Sequence, residues 1–317
     1  MKAFVIRRLA LTVVTLLILL TVVFLITSVF PSDPGRQLAG PFATQETVDS
    51  INERIGANDP KLTQFGRLLK NAVTFQFGDS FQYDRPVSGL LFPALGRSAK
   101  LVVLGLALTI PLSVAGGILA ARRKDTLVDR SIVTLGLASS SIPDFVSGVV
   151  LQYVIGVKLG WLPALATAPA GANIFTQMYH LLLPALAIVV VYFGYIARMT
   201  RAGTIQALSS DYTRTAYMKG LTNRQVISRH VLRNALQPTV AVIGTQIGYL
   251  FGGLIALEII FNYQGLGNLI FNAATIQDFP LLQAGVVLVA IIFMFCTLAA
   301  DLIIAWMNPR ARIGVRR

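Results

Sequence analysis

The chain has 317 residues, 55% of them hydrophobic and only 13% charged, with a mean hydropathy of +0.68. Those proportions exclude an ordinary soluble globular domain and place most of the chain in a bilayer. A net charge of +13 would admit nucleic acid as a partner, so the placement of the charge has to decide.

A spanning helix needs about 20 mostly apolar residues. Six stretches approach that length: residues 9–30, 99–121, 131–157, 181–197, 240–261 and 281–306. The first follows Arg7 and Arg8 as a secretory signal would. Its apolar run exceeds a signal core, however, and "SVFPSDPG" offers no small-residue cleavage site, so it reads as a retained helix. The third is long and interrupted by Pro143, and the fourth is short. Between the first two spans, residues 31–97 are mixed and polar. Phe65, Leu68, Leu69 and Val73 fall on one side of a predicted helix there. With Phe75, Phe77, Phe81 and Tyr83 nearby, the segment is expected to pack as a small outer subdomain rather than trail as a linker.

Lys and Arg collect on cytoplasmic flanks of membrane spans. With the N-terminus inside, the cytoplasm receives three such residues at the N-terminus, four between Arg122 and Arg130, seven between Arg198 and Arg233 and four in the tail, which is 18 of the 27. Both termini are therefore expected in the cytoplasm. The charge is spread over four membrane flanks rather than gathered on one face, which argues against nucleic acid. The single Cys296 lies in an apolar run and excludes a disulfide framework within one chain.

The stretch "DYTRTAYMKGLTNRQVISRHVLRNALQP", residues 211–238, breaks the hydrocarbon character. Ser210 can cap a short helix with Asp211 in its first turn, Lys219 in its last turn and Gly220 at the left-handed stop. About nine residues give a rod of only ~14 Å, too short to be stable alone. A second helix follows, with Thr222 and Gln225 at capping-box spacing, Ile227, Val231 and Ala235 on one face, and Pro238 marking the start of the fifth span. Small Thr215 and Ala216 beside the Gly stop would let another backbone come close. From the residues alone the insert is either a plug for a groove in a partner or an amphipathic helix held to anionic lipid by its arginines.

Asp144, Glu258 and Asp301 lie in or at the edges of apolar spans, where an ionisable group is expensive and faces a partner or water. Asp144, beside helix-bending Pro143, and Glu258 are candidate pathway residues. His180 and His230 read as structural, and Trp161 and Trp306 as interfacial anchors. No phosphate-binding loop, HExxH or nucleophile elbow occurs, so no catalytic residue or metal site is assigned.

The insert resembles the cytoplasmic EAA loop of bacterial ABC importer permeases, specifically the dipeptide, oligopeptide and nickel branch with its "DYxRTAxxKGL…RHxLRNAxxP" pattern. Here the pattern is carried by Asp211, Tyr212, Arg214, Thr215, Ala216, Lys219, Gly220, Leu221, Arg229, His230, Leu232, Arg233, Asn234, Ala235 and Pro238. The Glu and first Ala of the general consensus are replaced by Arg214 and Thr215. Further similarity lies in "VIRRLA", "FGDS", "GWLPA", "HLLLPALAI" and "GLGNLIFNAATIQDFPLLQA". The chain departs from the family at Ser32 in "PSDP" and Gln264 in "QGLG".

The resemblance implies an all-α integral membrane protein of type I ABC importer permease fold, with six transmembrane helices. Residues 1–30 would form the N-terminus and first helix, 31–97 an extracytoplasmic subdomain, 98–306 the permease core with a cytoplasmic coupling loop at 198–237, and 307–317 a basic tail. It implies a subunit of an ATP-driven importer for peptides or a related small solute. Its partners would be a second homologous permease, one or two ABC ATPase subunits that bind ATP and Mg, and an extracytoplasmic solute-binding protein, with no cofactor in this chain. Asp211 would cap the coupling helix, Gly220 provide its turn and Ala216 its close approach to the ATPase. Thr215 lies on the same helix, and Arg214, Lys219 and Arg233 would form a charged collar. The competing readings are a stand-alone ion-coupled carrier, which would need chained intramembrane acids, and a membrane scaffold with a lipid-binding insert.

Overall fold

The computed structural model describes residues 2–29, 34–40 and 42–307. The sequence features at 31–33 and the basic tail beyond 307 lie outside the described residues. Apart from one isolated antiparallel bridge, Asp79 with Pro86, the described residues form helices and their connections. In order these are α1 (Lys2–Val29), three short helices α2 (Pro34–Ala39), α3 (Gln45–Ile55) and α4 (Lys61–Thr74), then α5 (Val87–Arg122), α6 (Leu127–Ser140) and α7 (Asp144–Leu151), which continues into a π-helical turn, Gln152–Lys158. After them come α8 (Ile174–Leu208), α9 (Asp211–Met218), α10 (Asn223–Val226), a second π-helical turn (Ile227–Val231), α11 (Leu232–Ile260), α12 (Leu266–Thr275) and α13 (Phe279–Met307).

Among the described residues five helices are long and apolar enough to cross a membrane, and α6 with α7 makes a sixth span if that bent pair is counted as one. The pair is bent by 101° at the break. The cause is local. The hydroxyls of Ser139, Ser140 and Ser141 turn back onto the carbonyls of Gly136 and Leu137, and Pro143 has no N–H with which to continue the ladder. The predicted fourth span, 181–197, is only the middle of α8, which starts where the Asn173 side chain accepts from the Thr176 amide. The second span likewise forms the later part of α5, which begins at Val87. Pro238 does not open the fifth span but lies inside α11.

Two compact units are distinguished. The smaller comprises residues 10–98 and 264–294. Its core gathers Leu20, Ala72, Phe77, Leu91, Ile270 and Leu281, which come from α1, α4, the loop after it, α5, α12 and α13. On α4 the buried positions are Leu68 and Ala72, with Phe65 against the Phe24 ring at 5.3 Å. Val73, predicted on that face, points outward at 80% exposure, because the helical repeat carries the stripe from 68 to 72.

In this unit Asp278, wholly buried, ties two distant motifs together. Its carboxylate accepts from the Ser80 hydroxyl, the Gln82 amide at 3.2 Å and the Leu281 amide at 3.2 Å at the start of α13. Thus "FGDS" and "IQDFP" close on one carboxylate. Replacing Asp278 by Ala strands these donors, at about 1–3 kcal/mol for each buried group left unsatisfied. Thermal unfolding in detergent should show a lower midpoint for Asp278→Ala than for Ser80→Ala, which removes only one donor.

The larger unit comprises residues 99–263 with 2–9 and 295–307 among those described. α8 is its axis, with α6, α7 and α11 against it. α6 and α8 cross at Gly136 and Gly194, so close that a Cβ on Gly136 would stand 2.9 Å from the Gly194 Cα. The loop containing "GWLPA" is pinned by Gln152, which donates to the carbonyls of Ala164 and Ile260 at 3.0 Å each, and by the Ala166 amide on the Phe261 carbonyl at 2.8 Å. His180 Nδ1 lies 3.0 Å from the Leu165 carbonyl, a structural role as expected.

Candidate functional site

The insert folds back on the ends of α8 and α11. α9 begins after Ser210, which has extended backbone but uses its hydroxyl differently from the predicted cap. It donates to the Ala207 carbonyl at 2.6 Å, and Thr213 does the same at 2.6 Å. Two hydroxyls thereby reinforce a carbonyl that otherwise accepts only the long Ser210 amide bond at 3.4 Å and a turn contact from Ser209, and they bind α9 to the end of α8.

The stop of α9 is as expected. Gly220 has φ +76°, its amide donates to the Tyr217 carbonyl at 2.9 Å, and the Leu221 amide reaches the Ala216 carbonyl at 3.4 Å. These are the paired bonds of a Schellman ending, and Leu221 completes it by packing on the cluster beneath. The next helix opens with the predicted capping box: the Thr222 amide donates to Gln225 Oε1 at 2.9 Å, and the Gln225 amide to Thr222 Oγ1 at 3.4 Å.

Beneath α9 lies a cluster of Ala207, Ala216, Val226, Val231 and Ala235. Two expectations are corrected here. Ala216, predicted to face a partner, is 3% exposed and faces this cluster, so its small size serves the seating of α9 on its own chain. The predicted stripe of Ile227, Val231 and Ala235 is instead Val226, Val231 and Ala235. The π-helical turn inserts one residue into that register, so buried positions fall five and then four residues apart. Just above, Gly203 admits α11: a Cβ there would strike the Ala235 carbonyl and stand 3.0 Å from the Pro238 ring.

What α9 leaves exposed is Asp211, Tyr212, Arg214, Thr215, Tyr217, Met218, Lys219 and Gly220. Tyr212, Tyr217 and Met218 are large apolar side chains at 41%, 44% and 74% exposure, and sequence reasoning passed over them as contact residues. The signal for Tyr212 and Tyr217 was available: on a helix seated through Thr213 and Ala216, positions one residue on either side point away. The Arg233 side chain is outside the described residues.

The seat is itself braced. Arg201 on α8 makes a two-point ion pair with Asp129 on α6, at 2.5 and 2.7 Å, and the Asp125 amide donates to the same carboxylate at 2.9 Å. Thr200 on α8 meets Thr239 on α11 hydroxyl to hydroxyl at 3.1 Å.

Of the two candidate pathway acids, Glu258 is wholly buried near the end of α11, so it presents no surface to a solute in this conformation. Asp144 is half-buried at the first residue of α7 and lies against Gly253 of α11. Among the described residues no group of three His, Cys, Asp or Glu could hold a metal.

These features define the class: a multi-pass helical membrane protein with a rigid helix and turn seated on the ends of two of its spans. Residues 113–313 match the family described as "Binding-protein-dependent transport system inner membrane component", and residues 1–113 match the N-terminal region described for the same components. The chain belongs to this family of ABC importer permeases. It is 33% identical over 312 residues to "Probable peptide ABC transporter permease protein y4tP" of Sinorhizobium fredii, covering 98% of this chain and 100% of that protein. It is 34% identical over 312 residues to "Glutathione transport system permease protein GsiC" of Escherichia coli K12, covering 98% and 99%. The fold is that of a type I ABC importer permease, a subunit without an ATPase site of its own. Partner subunits hydrolyse the ATP, and a binding protein presents the solute.

Proposed function

We propose that the chain forms half of the translocation pathway of an importer for peptides or a closely related small solute, beside a second homologous permease and above one or two ATPase subunits that hold ATP and Mg. Both termini lie in the cytoplasm, in keeping with 18 of the 27 Lys and Arg on that side. The peptide class rests on kinship with two relatives, one named a peptide permease and one a glutathione permease.

The observation that carries the coupling role is the form of α9. Its inner face, Thr213 and Ala216, is fixed to the chain, while its outer face offers Tyr212, Tyr217 and Met218 ringed by Asp211, Arg214, Thr215 and Lys219. Exposed aromatic and Met side chains with a charged rim suit a protein groove better than a lipid surface. Closure of the ATPase then moves α9, and α9 moves the ends of α8 and α11. In this reading Asp144, on the broken third span, belongs to the pathway. Tagged wild-type chain in mild detergent should carry ATPase and a second permease into mass spectrometry, and Tyr217→Asp should lose the ATPase alone. Equal recovery of the ATPase with Tyr217→Asp would remove the docking face.

A further inference from the structure

Asp144, Tyr192 and Gly253 belong to α7, α8 and α11 and meet inside the larger unit. None of them is part of α9 or its seat. A Cβ built on Gly253 would strike Asp144 Oδ2 and stand 3.9 Å from the Tyr192 hydroxyl, so carboxylate and phenol converge where Gly253 lacks a side chain.

Neither side chain has a hydrogen-bond partner among the described residues. Asp144 is half-buried and its carboxylate accepts no bond, while Ser147 donates to its backbone carbonyl at 2.8 Å. The Tyr192 ring is buried, at 7% exposure, but its hydroxyl is not sealed off. Both oxygens are therefore open to a ligand. The N-terminus of α7 offsets part of the cost of the bare carboxylate, and among the described residues no ion pair is formed with it.

The chemistry of the spot selects its ligand. An anion is repelled by the carboxylate, and an apolar group leaves both oxygens bare. A multivalent metal would need more ligands than one carboxylate and a phenol. A primary ammonium carries three donors and a positive charge, and it can bond the carboxylate and the phenol oxygen together.

We propose that Asp144 and Tyr192, brought together against Gly253, form a subsite that takes the ammonium group of the solute in transit, the free amino terminus of a peptide. This rests on the reading of the chain as a peptide importer permease. Gly253 lets the carboxylate lie against the α11 backbone, and Tyr192 orients the amine toward it. The amino end of the peptide can thus be read in the pathway without any contact to its side chains.

The test uses the complete transporter in proteoliposomes with its binding protein, and measures uptake of trialanine and of N-acetyltrialanine per ATP hydrolysed. Asp144→Asn should lower trialanine uptake about tenfold or more, the loss of one charge-assisted bond. Asp144→Glu should restore part of it, and N-acetyltrialanine uptake should be unchanged by Asp144→Asn. Gly252→Ala serves as the fold control, since a Cβ there meets nothing within 4 Å. Proportional loss of both peptides, or undiminished trialanine uptake by Asp144→Asn, overturns the subsite and leaves the peptide importer standing. Failure of the wild type to take up either peptide overturns both.

Discussion

Asp129→Ala should be among the most damaging single substitutions in the larger unit. Asp129 is 3% exposed at its side chain and Arg201 25%, and the two meet in a two-point pair. Removing the acid leaves a guanidinium facing a buried gap and frees the Asp125 amide as well, so a cost of about 2–4 kcal/mol is expected from an uncompensated, largely buried charge. The pair braces α8 through Arg201, two residues before Gly203, where α11 crosses. Stability and coupling should therefore fall together. The comparison is Asp129→Ala against Asp129→Leu/Arg201→Met, read as thermal unfolding and membrane yield. The apolar double should recover most of the loss, since a buried ion pair replaced whole costs little. A double variant as unstable as the single would show that the damage comes from something other than the stranded charge.

The parts of this protein that could be read from its sequence are those governed by short-range rules. Gly220 announces a left-handed stop, and Thr222 with Gln225 announces a helix start, because each requires only backbone geometry a few residues away. The apolar runs reveal their spans for the same reason. Tertiary decisions were not legible. The π-helical turn at Ile227–Val231 adds one residue to the register, so Val226 replaces Ile227 in the buried stripe, and no local pattern signals it. The direction of Ala216 depended on whether α9 lies against its own chain, which a nine-residue window cannot reveal. Asp278 takes its role from Ser80, which arrives from a segment nearly two hundred positions earlier and so leaves no local signal. Asp144 was visible as an expensive charge beside Pro143. Tyr192 and Gly253, which give that charge its setting, lie on two other helices and carry no signal of their own.

The second large effect concerns α9, which can be disabled from either side with different consequences. Met218 is 74% exposed and Ala216 is 3% exposed, so the two residues of one short helix separate docking from transmission. Met218→Asp puts a charge into the contact face and should weaken ATPase binding by about 2 kcal/mol or more, roughly thirtyfold, while the chain remains folded. Ala216→Phe should act from beneath. A ring forced between α9 and Val226, Val231 and Ala235 overpacks the cluster by about 1–3 kcal/mol and lifts the helix off its seat. The Ala207 carbonyl then loses the Thr213 hydroxyl that ties α9 to α8. The outer face survives, so ATPase should still be recovered with Ala216→Phe, but hydrolysis should run with little uptake. The deciding quantity is solute taken up per ATP hydrolysed in proteoliposomes: unmeasurable for Met218→Asp because the complex is lost, and reduced tenfold or more for Ala216→Phe, on the scale of 1.4 kcal/mol per factor of about ten. Wild-type uptake per ATP in Ala216→Phe would mean that α9 does not transmit motion through its inner face. Transmission would then have to run through the Gly220 turn and the second helix instead.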